Sequence, residues 1–362
     1  MTINNKKRLS LTIDFLRFPL TVGVVFIHAP LELITKDINS FPFAKNIDYL
    51  ISENIARIAV PLFFFISGFL FFKSTHTFDK SIYISKIRKR INTLVVPYIL
   101  WNLIILIPII AKQLLVYYTG ASTEKGMFIV EDAWINWLRC FWDWKRDTNF
   151  SYPINYPLWF IRDLIVMSAF SPFIYYLIRK LEVFFILFLS IIWLLNLWPN
   201  ITGFSITALF FFSFGAYWSI HKKDFIEILS KYHFSAWGGF YMIITAANLM
   251  FQNQVWSFYL RQTGILIGMA AVITLSAHYI QEGKWHSNTF FNSCNFFIYA
   301  FHAIPLTLLI TAVSQLLQPK SECSITIIYL ACPVLIIALG VILSWTINKL
   351  FPQIARYLTG GR

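Results

Sequence analysis

The chain has 362 residues, of which 57% are hydrophobic, 19% aromatic and only 13% charged. A soluble domain carries roughly twice that charged fraction, so a water-soluble globular protein is excluded. A formal net charge of +13 raises nucleic acid as a partner, but the basic residues cluster in alternate loops, as membrane insertion demands, so no nucleic acid is expected.

The apolar runs are near-continuous and about 20 residues long, which implies an all-α polytopic transmembrane bundle and not an alternating barrel. The N-terminal MTINNKKRLS is basic. The segment after it is too long for a signal-peptide core, and no A-x-A-like site follows, so it reads as a start-transfer helix. Ten spans are expected, at 11–31, 54–72, 91–116, 157–178, 182–198, 201–220, 234–251, 255–280, 290–316 and 324–350. Pro157 opens the fourth, and Pro19, Pro61, Pro97, Pro108, Pro305 and Pro333 sit inside others. Such kinks persist where neighbouring helices satisfy the freed backbone groups. With no internal repeat and no low-complexity linker, residues 1–362 read as a single membrane domain.

Orientation follows from Lys and Arg. Alternate loops and the two chain ends carry 18 of the 30, the opposite side carries 8, and Arg17, Arg57, Arg162 and Arg261 lie inside spans. Both termini and the basic 73–90 loop are therefore expected in the cytoplasm, and the aromatic-rich 117–156 loop outside. In that outer loop Trp134, Trp137, Leu138, Phe141 and Trp142 recur at helical spacing, the pattern of an interfacial helix. Its tryptophans also suit stacking on sugar rings. Cys140 and Cys323 fall on the same predicted side, which allows a disulfide, and the four cysteines show no metal spacing.

The first span, LTIDFLRFPLTVGVVFIHAPL, carries Asp14, Arg17 and His28. Ionisable groups inside a span are costly and default to a functional hypothesis. At ~100° per residue, the eleven steps from Arg17 to His28 make three turns plus roughly 20°, and about 16 Å of rise. Asp14 and Arg17, three apart, are surface neighbours. All three fall on one stripe, with an ion pair near the cytoplasmic face and an imidazole in the outer half. Arg57, Arg162 with Asp163, and Arg261 are each expected one or two turns below the external surface. Counted this way, embedded basic groups outnumber two embedded carboxylates, Asp14 and Asp163, which favours an anionic ligand or developing negative charge. The plainer alternative is that Arg57, Arg162 and Arg261 snorkel to the interface.

Four segments resemble membrane-bound acyltransferase family 3, a family of O-acyltransferases. Asp14-Phe15-Leu16-Arg17, ten residues and then His28 match its arginine-x10-histidine hallmark, with Phe15 where a glycine is usual. Residues 57–69, from Arg57 to Phe69, are similar to its second helix. Leu158-Trp159-Phe160-Ile161-Arg162-Asp163-Leu164 is similar to its aromatic-x-arginine-x-leucine motif, and Tyr299-Ala300-Phe301-His302 to its late tyrosine-x-x-histidine segment. The resemblance implies transfer of an acyl group, commonly acetyl, from cytoplasmic acyl-CoA to a hydroxyl of a glycan or lipid-linked sugar at the outer face. No metal is implied, and the setting is a bacterial cytoplasmic membrane. It makes Arg17 a clamp for phosphate or pantetheine, held by Asp14. It makes His28 a general base or a transient acyl carrier, and Arg162 or Arg57 an oxyanion stabiliser. Trp159, Asp163, Arg261 and His302 join as substrate-binding candidates, with His302 equally readable as a packing residue. Lys73, Lys80, Lys86, Arg88, Lys89 and Arg90 suit CoA phosphates as well as simple inward retention. The competing function is a secondary transporter or flippase for a glycan or anionic solute.

Overall fold

A computed structural model describes residues 3–73, 78–119, 134–144 and 151–361. All regular elements among them are helical. Each of the ten expected spans has its helix, but they are not ten full-length crossings. Five stretches are long and apolar enough alone: Lys7–Ile27, Pro42–Phe72, Lys80–Leu115, Ser257–Gln281 and Glu322–Leu350. Two bent pairs, Tyr156–Ala169 with Ser171–Leu181 and Thr289–Phe301 with Ala303–Leu317, raise the number to seven. Val183–Leu194, Ile206–Ile220 and Phe234–Met250 have 12, 15 and 17 residues. At 1.5 Å per residue they reach about 18–26 Å, short of a hydrocarbon core of about 30 Å.

The two bends follow from proline. Pro305 has no N–H to return to the carbonyl of Phe301, and Pro172 none for Ser168. The chain breaks by 69° at His302 and by 65° at Phe170. Irregular backbone at membrane depth is tolerated where protein or a cavity surrounds it.

The expected basic loop 73–90 is largely a helix. Lys80–Arg90 starts at Asp79, whose carboxylate accepts from the Ile82 amide at 2.9 Å. It runs through a π-helical turn, Ile91–Val95, into Val96–Thr119. The third span is thereby extended at its basic end. The second is extended at its other end through Tyr49–Ile55, also π-helical. Of the 117–156 segment, residues 120–133 and 145–150 lie outside the described set, and Trp134–Trp142 is helical as its periodicity suggested. All four cysteines are free thiols, so Cys140 and Cys323 are not bridged.

Two glycines set the tightest packing. A Cβ on Gly68 would lie 1.9 Å from the Phe212 carbonyl oxygen, and one on Gly215 would lie 1.9 Å from that of Phe65. Helices Ala59–Phe72 and Ile206–Ile220 therefore meet backbone to backbone, with Phe64, Phe211 and Phe212 fully buried around the seam. A second apolar cluster joins Val25 near the end of the first helix to Ile298, Ile325 and Tyr329. That cluster brings the ends of two distant segments, His28 and His302, to one place.

Candidate active site

The helix Ile3–Ile27 carries Asp14 and Arg17 on its exposed-to-half-buried face. Arg17 Nη1 lies 3.3 Å from Asp14 Oδ1, and the Asp14 carbonyl accepts from Asn292 Nδ2 at 2.9 Å. Phe15, where the family has glycine, turns to stack on Trp285 with ring centroids 5.0 Å apart. Arg17 lines a cavity of about 530 Å³. Lys86, Lys89 and Arg90 line it too, as do Thr21, Phe160 and Tyr299. The Lys86 ammonium donates to the Phe71 carbonyl, and Lys86 and Arg90 both sit over the Phe71 ring. Four cations from two segments thus meet at the cavity with no carboxylate in its wall. The bound form that suits it is an anion with an apolar extension.

His28 lies in the turn after the first helix, its amide bonded to the Val25 carbonyl at 3.1 Å. Its ring is 5.3 Å from that of His302 and 5.0 Å, edge-on, from that of Tyr156. His28 is partly buried and His302 fully so. His302 Nδ1 lies 2.7 Å from the Tyr299 carbonyl and 3.2 Å from that of Ile298. A carbonyl only accepts, so Nδ1 carries the proton and Nε2 presents a lone pair. That Nε2 is buried without a hydrogen-bond partner among the described residues. An unsatisfied buried acceptor costs about 1–3 kcal/mol and calls for a functional account. The cavity reaches the same neighbourhood: Tyr299, in its wall, is one turn before His302 and has its ring 6.3 Å away.

The arginines divide into two groups. Arg57 pairs with Glu53 one turn earlier, and Arg261 Nη1 reaches the other Glu53 oxygen at 2.5 Å. The expected tally of embedded carboxylates is thereby corrected, because Glu53 lies inside the extended second span. Two guanidinium groups on one carboxylate still leave a net positive charge. Arg57 and Arg261 thus form one cluster through Glu53.

Arg162 and Asp163 stand apart from it. Arg162 is 3% exposed and Asp163 fully buried. Arg162 Nε and Nη2 donate to Asp163 Oδ1 at 3.1 and 3.0 Å. Nη1 donates to the carbonyls of Trp142 and Ser151 at 2.7 and 3.1 Å. The second Asp163 oxygen accepts from the Ser205 amide at 3.3 Å. Most of the guanidinium's five donors are thus engaged by protein, so Arg162 ties Trp142 and Ser151 to Asp163. Trp159 packs near Phe64, ring centroids 6.3 Å apart, and does not line the cavity at Arg17.

That fastened segment supplies residues the sequence reading did not single out. Tyr156 presents its ring edge-on to His28. Asn155 is fully buried, its amide N–H held by Asn102 Oδ1 at 3.1 Å and its side-chain Nδ2 donating to the Ala300 carbonyl at 3.0 Å. Asn155 Oδ1 has no partner among the described residues. Neither asparagine nor tyrosine in a loop carries a spacing signal, so nothing in the sequence marked them. Among the described residues no group of three or more His, Cys, Asp or Glu is placed to hold a metal ion.

A family model for an acyltransferase domain matches residues 11–349. Succinoglycan biosynthesis protein ExoH of Rhizobium meliloti (strain 1021) is 27% identical over 273 residues, covering 73% of this chain and 69% of that protein. No solved structure matches the chain. The match takes in Asp14, Arg17, His28, Glu53 and His302 together, and with that extent the chain belongs to acyltransferase family 3 and is a multi-pass membrane acyltransferase.

Proposed function

We propose that this enzyme moves an acyl group, commonly acetyl, from acyl-CoA to a hydroxyl of a cell-surface glycan or lipid-linked sugar, in a bacterial cytoplasmic membrane with both termini inside. The observation that carries this reading is the cationic cavity at Arg17, whose wall includes Tyr299, a residue with its ring 6.3 Å from that of His302, itself beside His28. Phosphates of the donor sit against Arg17, Lys86, Lys89 and Arg90. The pantetheine arm spans the roughly 16 Å of helix between Arg17 and His28. A relative named for succinoglycan biosynthesis supports a glycan as acceptor.

In the chemical step the sugar hydroxyl oxygen attacks the thioester carbonyl. His28 takes the hydroxyl proton as general base. The carbon–sulfur bond breaks, and the thiolate leaves and recovers that proton through the imidazolium. The Arg57–Arg261–Glu53 cluster, net positive, stabilises the oxyanion electrostatically. His302, whose Nε2 lone pair has no partner among the described residues, packs its ring beside that of His28, and Tyr156 bounds His28 on another side.

Mass spectrometry of surface glycans from cells with and without the protein tests this. A gain of one acyl mass on a defined sugar is expected. Unchanged glycan acylation with altered distribution of a solute or lipid-linked sugar would instead favour a transporter or flippase.

A further inference from the structure

A second cavity, of about 670 Å³, adjoins the first. The two share Lys89, Thr93, Gly360 and Gly361 in their walls. The outer one is lined in addition by Arg356 and Tyr357 from the helix Pro352–Thr359, which follows the last span. Its lining holds two cations and no carboxylate. Resting on the acyl-CoA reading above, we propose that this outer cavity seats the phosphorylated adenosine end of the donor. The diphosphate would stay against Lys89 and the inner cations, while Arg356 would meet the ribose phosphate and Tyr357 the base.

Three observations make the helix a built wall and not a loose appendage. Trp101 Nε1 donates to the Leu358 carbonyl at 3.0 Å, in buried surroundings. Gly360, at φ +69°, lies so close to residue 93 that an added Cβ would be 2.6 Å from the Thr93 carbonyl oxygen. Only glycine combines that left-handed backbone with that approach. Gly361, at φ +70°, donates its amide to the Arg356 carbonyl at 2.9 Å, and the Gly360 amide bonds the same oxygen. The helix end is thereby satisfied internally.

Chemistry decides which part of the donor goes where. The inner cavity runs between Phe63, Phe160 and Leu164 and suits the pantetheine arm. The outer one is wide, carries Asn92 and Gln353 beside its cations, and presents the exposed Tyr357 ring. Aromatic faces stack on bases, and arginine matches phosphate oxygens bidentately. Lys89 and Thr93 at the shared rim stand where a diphosphate would pass from one cavity to the other.

The test is equilibrium binding of CoA, dephospho-CoA and 4′-phosphopantetheine to the purified protein in neutral lipid, so that anionic headgroups cannot occupy the cations. Arg356→Gln, at an exposed position that leaves folding untouched, should weaken CoA about tenfold, as loss of one charge-assisted contact does. The same variant should leave 4′-phosphopantetheine binding unchanged. Arg356→Lys should recover part of the loss. Equal CoA affinity in wild type and Arg356→Gln, with wild-type CoA binding intact, would remove the subsite while sparing the donor reading. Wild-type protein that binds none of the three ligands would overturn the donor reading and the subsite with it.

Discussion

His28→Ala is expected to abolish acyl transfer while acyl-CoA binding stays within about twofold of wild type, whereas Arg17→Ala is expected to weaken donor binding at least about tenfold. This split follows from position. Arg17 stands in the cationic cavity. His28 lies about 16 Å further along the first helix by helical rise, beside His302 and Tyr156. A general base acts only in the chemical step, so its loss lowers kcat; a phosphate clamp contributes binding shared by ground and transition states, so its loss raises KM. Removal of a positioned general base costs about 10²–10⁴ in rate. Binding and single-turnover assays on purified variants in lipid read both quantities. Substantial turnover in His28→Ala would remove it from the chemistry. Lost donor binding in His28→Ala with none in Arg17→Ala would reverse the two roles.

Arg162→Ala is expected to destabilise the protein by about 3–5 kcal/mol, because it leaves Asp163 as a buried charge without its partner. The pair is almost wholly out of contact with solvent, and Arg162 also holds the Trp142 and Ser151 carbonyls. The double change Arg162→Met with Asp163→Leu should recover much of that stability, since replacing both members of a buried pair by apolar groups is often neutral. Its transfer rate should stay low, because residues 151–156, which bring Tyr156 to His28, lose their tie at Ser151. Thermal unfolding in detergent checks the first statement and donor binding against kcat the second. If Arg162→Ala is as stable as wild type yet inactive, Arg162 belongs to the chemistry and not to the clamp.

The first helix was legible from sequence because its information is local. A 3.6-residue period made Asp14 and Arg17 neighbours, and they pair at 3.3 Å, whereas His28, expected within the span 11–31, falls in the turn just past the helix end at Ile27. Span boundaries failed where charge and secondary structure part company. Lys80–Arg90 is too basic to read as part of a span, yet it is helical because the apolar helix behind it continues outward through Ile91–Val95. Glu53 was overlooked for the opposite reason: it falls one residue before the apolar run that begins at 54. Its partner Arg261 is 208 positions away in the chain. Pairings of that separation, like that of Asn155 with Ala300, come from packing and leave no periodic trace. The bend at His302 was readable in part from Pro305, but its consequence, a buried imidazole with one free nitrogen, depends on where the broken ends pack.

The most direct measurement uses sealed vesicles containing the protein in one orientation, with labelled acyl-CoA on one face and a lipid-linked sugar acceptor exposed on the other. Label should reach the sugar when the donor is on the face bearing Arg17, Lys86 and Arg90, and His28→Ala should eliminate the signal. Equal labelling with donor supplied only on the opposite face, or undiminished labelling in His28→Ala, would contradict a chain that takes its donor at the cationic cavity and delivers the acyl group at the histidine pair.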